Sequence, residues 1–293
     1  MSFTPSGKSI YLKSRMKTRK REIFMKVLAI DYDGVIVDSV MDSLFVSHNA
    51  YLKVFGSNGK KIFGGEPFTL KNWPVIQKKY KKEIEKYRSL RPYIRGATDY
   101  GLIQKMLEEG KDVQSQQEFD EYRQSVEFDF QKFHDAFYQA RKDTQDESFE
   151  DWLSLEPPYE IVLKGIRKFV QQGIKVIVAT SNRREYIASV FPAEYYDIPI
   201  GVDDILDFSF GEDKSSQMHH ICDKYNVDYQ DIFFVDDQLA HLEQTRKLGI
   251  NVFLAGWSYA TMQQKEIARE EKIPVIEKEK DFYSVIKKYL KNE

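Results

Sequence analysis

The stretch Lys26-Val27-Leu28-Ala29-Ile30-Asp31-Tyr32-Asp33-Gly34-Val35-Ile36 decides the fold. Residues 27–30 form an unbroken apolar run, the pattern of a strand covered on both faces of a parallel sheet. Gly34 then allows a sharp exit that a residue with a Cβ resists. Asp31 and Asp33 therefore fall at the C-terminal end of such a strand, where open α/β sheets bind ligands. An Asp-x-Asp-Gly run is short, and its meaning depends on whether matching parts follow it.

Directly after the strand comes helical spacing, with apolar residues at Met41, Leu44, Phe45, Tyr51, Leu52 and Phe55, stopped at Gly56-Ser57-Asn58-Gly59. Phe63-Gly64-Gly65-Glu66-Pro67 reads as a loop. From about 72 to 150 the pattern is mostly helical: Ile76–Tyr87, Tyr100–Glu109 and a long segment from Gln116 to Arg141. None of these pieces holds a buried-strand run. Pro157-Pro158 breaks the chain, and an amphipathic helix follows from Ile161 to Gln172.

Strands and helices then alternate. Strands are predicted at Ile174–Ala179, Ile198–Val202 (weakened by Pro199), Ile232–Val235, Ile250–Leu254 and Pro274–Ile276. Helices fall at Arg183–Val190, 214–225, Leu239–Leu248, 259–271 and 281–291. This alternation implies right-handed crossovers and an α/β fold: a Rossmann-like parallel sheet with helices on both faces. The helical block interrupts that scheme and reads as an inserted all-α domain over 40–154. The α/β core takes 25–39 and 155–293.

Composition sets limits. The 293 residues are 42% hydrophobic and 31% charged, with a net charge of −2, as in ordinary globular proteins. Apolar runs stop far short of the ~20 residues of a membrane-spanning helix, so no membrane partner is expected. The lone cysteine, Cys222, excludes an internal disulfide and fits a reducing, cytoplasmic setting. Residues 1–24 are read as a basic, disordered arm: residues 1–26 carry eight Lys/Arg against one acid. Such an arm, with Lys78-Lys79-Tyr80-Lys81-Lys82, raises nucleic-acid binding as an alternative. Glu83 and Glu85 interleave that second run as on a solvated helix face, and the rest of the chain is acidic, so nucleic acid is not the expected partner. Oligomeric state is not legible.

Three further polar groups fall at or near predicted strand ends: Thr180-Ser181-Asn182, Lys214 in the loop Gly211–Ser215, and Asp236-Asp237. Each alone reads as a helix cap or a surface charge. Together, on parallel strands, they converge on one rim with Asp31 and Asp33. At this point the chain resembles the haloacid dehalogenase-like hydrolase superfamily. Asp31-Tyr32-Asp33-Gly34 matches its first motif, Thr180 its second, Lys214 its third and Asp236-Asp237 its fourth.

The resemblance implies a helical cap inserted after the first motif and a Mg²⁺-dependent phosphatase acting on a small phosphorylated metabolite. Asp31 would be the nucleophile, Asp33 the acid and base, Thr180 a phosphoryl contact and Lys214 a charge partner. Asp31, Asp33 and Asp237 would hold the metal, with Asp236 acting through water. Gly34, Ser181 and Asn182 would line the substrate, and Arg91 and Arg95 in the cap are candidates for a second anionic group. Asp33 argues against dehalogenase chemistry. A phosphomutase shares the core set and stays open, as does an end-processing phosphatase on nucleic acid. Two departures stand out: Asp236 replaces the usual glycine, and His241 takes a position usually held by Asp or Asn.

Overall fold

A computed structural model describes residues 25–56, 62–192, 194–211 and 213–291. The basic arm and the Ser57-Asn58-Gly59 stop lie outside the described residues. The elements run β1 Val27–Ile30, α1 Val40–Phe55, α2 Trp73–Lys79, α3 Lys81–Leu90, α4 Asp99–Glu109, α5 Gln116–Ser125, α6 Phe130–Glu147 and α7 Phe149–Leu153. Then follow α8 Glu160–Gln171, β2 Lys175–Ala179, α9 Arg184–Ala188, β3 Ile205–Leu206, α10 Lys214–Tyr225, β4 Ile232–Asp236 and α11 Leu239–Arg246. The chain closes with β5 Asn251–Ala255, α12 Met262–Glu270, β6 Val275–Ile276 and α13 Phe282–Leu290.

The six strands form one parallel sheet in the order β3-β2-β1-β4-β5-β6. All four residues of β1 are buried, as a central strand covered on both faces requires. Its side chains alternate: Leu28 and Ile30 join the apolar cluster that includes α8 and α13. Val27 and Ala29 join the one that includes α10 and α11. Chain order reverses at β1, with β2 on one side and β4 on the other, so the sheet has its switch point there. Ile30 pairs with Val178 and with Val235, which puts the ends of β1, β2 and β4 on one rim.

The helices α1–α7 stand between β1 and β2 and form the cap. Its interior is rich in aromatic rings, including Phe45 edge-on to Trp73 at 5.4 Å and His48 stacked on Phe68 at 4.1 Å. The two chain crossings between core and cap lie side by side. Asp38 donates its N–H to Pro157 O (3.0 Å), and Tyr159 donates to Ile36 O (2.8 Å).

The structure differs from the sequence reading in places. Residues Ile198–Val202 are not a strand. Pro199 lacks an N–H, and the Ile200 N–H turns back onto Ile198 O (2.8 Å), so the edge strand forms later, at Ile205–Leu206. The segment Gln116–Arg141 is two helices, broken where Val126 goes extended and Asp129 caps the N–H of Lys132. Ile76–Tyr87 is likewise interrupted at Tyr80. Lys214 is not in a loop but opens α10 behind the N-cap Asp213.

Candidate active site

The first carboxylate is placed by β1 itself. Asp31 follows Ile30 and ties its N–H to Val235 O of β4 (2.9 Å). Asp31 is 5% exposed, and its side chain accepts a 2.8 Å hydrogen bond from Lys214 Nζ. Lys214 also donates to Ala179 O and lies 3.7 Å from Asp236, so one ammonium links the ends of β1, β2 and β4. Burial pushes the Asp31 carboxyl up to about 6. Asp236 and Asp33 add to that push, and Lys214 opposes it.

Asp236 and Asp237 sit side by side yet differ in environment. Asp236 accepts hydrogen bonds from the Gln238 N–H (2.8 Å) and pairs with His241 Nδ1 (3.0 Å). Burial pushes it up, but His241, Lys214 and that amide outweigh burial and hold it below the usual carboxylate range. Asp237 is also buried, and neither of its oxygens has a hydrogen-bond partner among the described residues. Burial, with no full compensation from Arg91, drives it well above the usual range; Asp236, Asp31 and Asp33 add to the rise. The two departures from the family pattern thus meet: Asp236 in place of glycine is contacted by His241.

Asp31, Asp236 and Asp237 bring carboxylate oxygens within 4.8 Å of one another. An all-oxygen donor set of this kind, with one buried carboxylate left unpartnered, fits a hard divalent cation. Gly34 belongs to the same arrangement. It has φ +82°, and a Cβ there would come within 2.8 Å of both the Asp237 carboxylate and the Tyr259 ring. Gly34 is what lets the loop close against Asp237.

Asp33 is half-buried and lines a small polar cavity with Asp31, Ser181, Asn182, Arg91 and Arg141. Thr180 is buried at the end of β2; its Oγ accepts the Asn182 N–H (3.0 Å), leaving its own proton free to donate. Ser181 accepts at its main-chain oxygen from Tyr138 Oη (3.2 Å). Asn182 Oδ1 accepts from Arg141 Nη1 (2.8 Å). Arg91 enters from the turn after α3 and lies 3.9 Å from Asp237. Arg95 reaches the rim of the cavity, but its guanidinium grips Asp120 on the cap surface, with Nη2 to Oδ2 at 2.6 Å.

The sequence reading missed Arg141. It lies on α6 and is buried, bonded to Asp42 of α1 as well as to Asn182. Asp42 in turn accepts from Trp152 Nε1 (2.9 Å). The signal was there: Asp42 and Arg141 are charges set among the apolar positions of otherwise amphipathic helices, where a lone charge needs a buried partner.

Residues 25–249 match the family model of haloacid dehalogenase-like hydrolases. A comparison with curated proteins found no match. Solved structures share the fold. A predicted phosphoglycolate phosphatase from Haemophilus somnus is 14% identical with a TM-score of 0.54, covering 89% of this chain and 98% of its own. A predicted phosphatase from Clostridium acetobutylicum is 11% identical with a TM-score of 0.56, covering 90% and 99%. A hydrolase from Pseudomonas syringae is 14% identical with a TM-score of 0.53, covering 90% and 99%. The switch-point rim, the helical cap over it and a family match across most of the chain lead to one conclusion: the protein belongs to the haloacid dehalogenase-like hydrolases.

Proposed function

We propose that the protein is a Mg²⁺-dependent phosphatase that hydrolyses a small phosphomonoester through an aspartyl-phosphate on Asp31. The observation that supports this most is the position of Asp31, hydrogen-bonded to Lys214 at 2.8 Å and clustered with Asp236 and Asp237, while Asp33 faces the same cavity. Asp31, Asp237 and the main-chain oxygen of Asp33 would hold Mg²⁺. Bound there, the ion supplies charge that a carboxylate needs to approach an anionic phosphoryl group.

The residues of the chain do the rest. Asp31 attacks phosphorus while Asp33 gives its proton to the departing ester oxygen. Asp33 then takes a proton from water, which attacks the same phosphorus, frees orthophosphate and returns Asp31 to a carboxylate. Thr180 donates to a phosphoryl oxygen, with Ser181 and Asn182 shaping that wall. Lys214 fixes Asp31 and offsets developing charge. Asp236 holds Lys214 and His241 from behind. The names of the fold neighbours agree with phosphate-ester chemistry. Among the described residues no helix is long and apolar enough to cross a membrane.

A panel of small phosphomonoesters, assayed for phosphate release with Mg²⁺ and with chelator, tests this reading. Turnover should require the metal, and oxygen-18 from labelled water should appear in the phosphate. Transfer to an organic acceptor instead of water would make the protein a mutase. Release that survives chelation would overturn the mechanism.

A further inference from the structure

Two arginines of the cap are buried against the catalytic cavity, and their surroundings differ. Arg141 has anionic and polar partners: Asp42 holds one side of its guanidinium and Asn182 accepts from Nη1, so that only its Nε is without a partner among the described residues. Arg91 is 2% exposed, and its Nε and Nη1 have no hydrogen-bond partner among the described residues. Its nearest carboxylate, Asp237, stands at 3.9 Å, beyond hydrogen-bond reach. A buried guanidinium with unused donors is costly until a partner satisfies it, and a ligand can be that partner.

The surroundings of Arg91 hold it in place. Its guanidinium packs on the rings of Tyr259 (4.4 Å) and Tyr100 (5.6 Å), and Tyr259 is itself oriented by a 2.9 Å hydrogen bond to Asp38. The turn that carries it is pinned from both domains. Gln264 of α12 donates to Pro92 O (3.2 Å), and Gln116 of α5 donates to Tyr93 O (2.8 Å). A planar guanidinium packed on two tyrosine rings and carried by a fixed turn can bind a ligand at little further ordering cost.

We propose that Arg91 is the specificity-determining residue of the site and binds a second acidic group on the substrate, a carboxylate or a second phosphate. The preferred substrates are then small phosphomonoesters that carry another anion. This rests on the phosphatase reading above. Arg141 shapes the same wall but has Asp42 for its charge, and Arg95 has Asp120, so neither is free for the task.

Calorimetric titration in Mg²⁺ with three non-hydrolysable probes tests the proposal: phosphonopropionate, ethylenediphosphonate and propylphosphonate, which lacks a second acid. The first or the second should bind roughly 10–100-fold tighter than the third, the range for a hydrogen bond to a charged group. Which of the two is tighter distinguishes a carboxylate from a second phosphate. Arg91→Met should erase the gap, and Arg91→Lys, which keeps charge without the paired donors, should narrow it. In turnover, the loss on acid-bearing esters should lie in KM. Equal binding of all three probes to the wild-type protein overturns the proposal without any variant, as does a gap that survives Arg91→Met. Failure of all three to bind counts against the phosphatase reading as well.

Discussion

Core and cap both bury charge next to the cavity, and each contains one matched group and one that is not. In the core, Asp236 is surrounded by Lys214, His241 and an amide, whereas both oxygens of its neighbour Asp237 lack a hydrogen bond. In the cap, Arg141 is bonded to Asp42 and Asn182 and leaves only Nε unpaired, whereas Arg91 leaves both Nε and Nη1 unpaired and has no carboxylate within hydrogen-bond reach. The matched pair in each region belongs to the framework. The unmatched acid and the unmatched base face each other at 3.9 Å across the boundary between the regions. Buried groups that the chain itself does not satisfy are the ones left available to a ligand.

The largest effect should come from Asp31→Asn, which removes the nucleophile. Phosphate release should fall by several orders of magnitude while the melting temperature stays near wild type. Asp33→Asn should also stop turnover, yet trap some covalent phosphate detectable by intact-mass measurement. Near-normal release from Asp31→Asn would sink the mechanism.

Next in size is the contrast between the two fourth-motif acids. Asp237→Ala should abolish Mg²⁺-dependent turnover. Asp236→Ala should weaken apparent Mg²⁺ affinity by roughly 10–100-fold and leave activity at high Mg²⁺, since it acts on the groups behind the site. A reversed order of severity would exchange their roles.

The framework side of the comparison is tested by stability. Arg141→Met strands the buried Asp42 carboxylate, and chemical denaturation should show a loss of about 3–5 kcal/mol. Arg91→Met breaks no hydrogen bond and should cost clearly less. Equal losses would mean that Arg91 is a framework residue too, and the distinction drawn between the two arginines would fail.

A smaller effect comes from His48, buried inside the cap and hydrogen-bonded to Glu66 O at 3.0 Å. Burial pushes its pKa down to about 4, against the Glu66 contact. The unfolded chain therefore takes up a proton that the folded chain refuses between about pH 6.5 and 4. Stability should fall as pH drops through that window, by about 1–2 kcal/mol at pH 5. His48→Gln should flatten that slope; an unchanged pH dependence would show that other groups cause it.

The sequence alone was enough for the central strands of the sheet and for the rim. Buried parallel strands are continuous apolar runs, and a polar residue that ends such a run must emerge at the strand's C-terminal edge, so Asp31, Thr180 and Asp236-Asp237 could be located without knowing how the helices pack. Local signals also settled most helix ends. They failed where tertiary context chose among near-equal options, as at Pro199, where a turn displaced the edge strand to Ile205, and at Val126, where one long helix became two. The cap's share of the site was decided by tertiary structure. Arg91, Arg95 and Arg141 look alike in sequence, and only the fold gives Asp120 to one, Asp42 to another and rings without a hydrogen-bond acceptor to the third. The physical reason is range. Strand patterning is a local property of the chain, whereas whether a buried charge is matched depends on residues far away in sequence, such as Asp42 and Arg141, 99 positions apart.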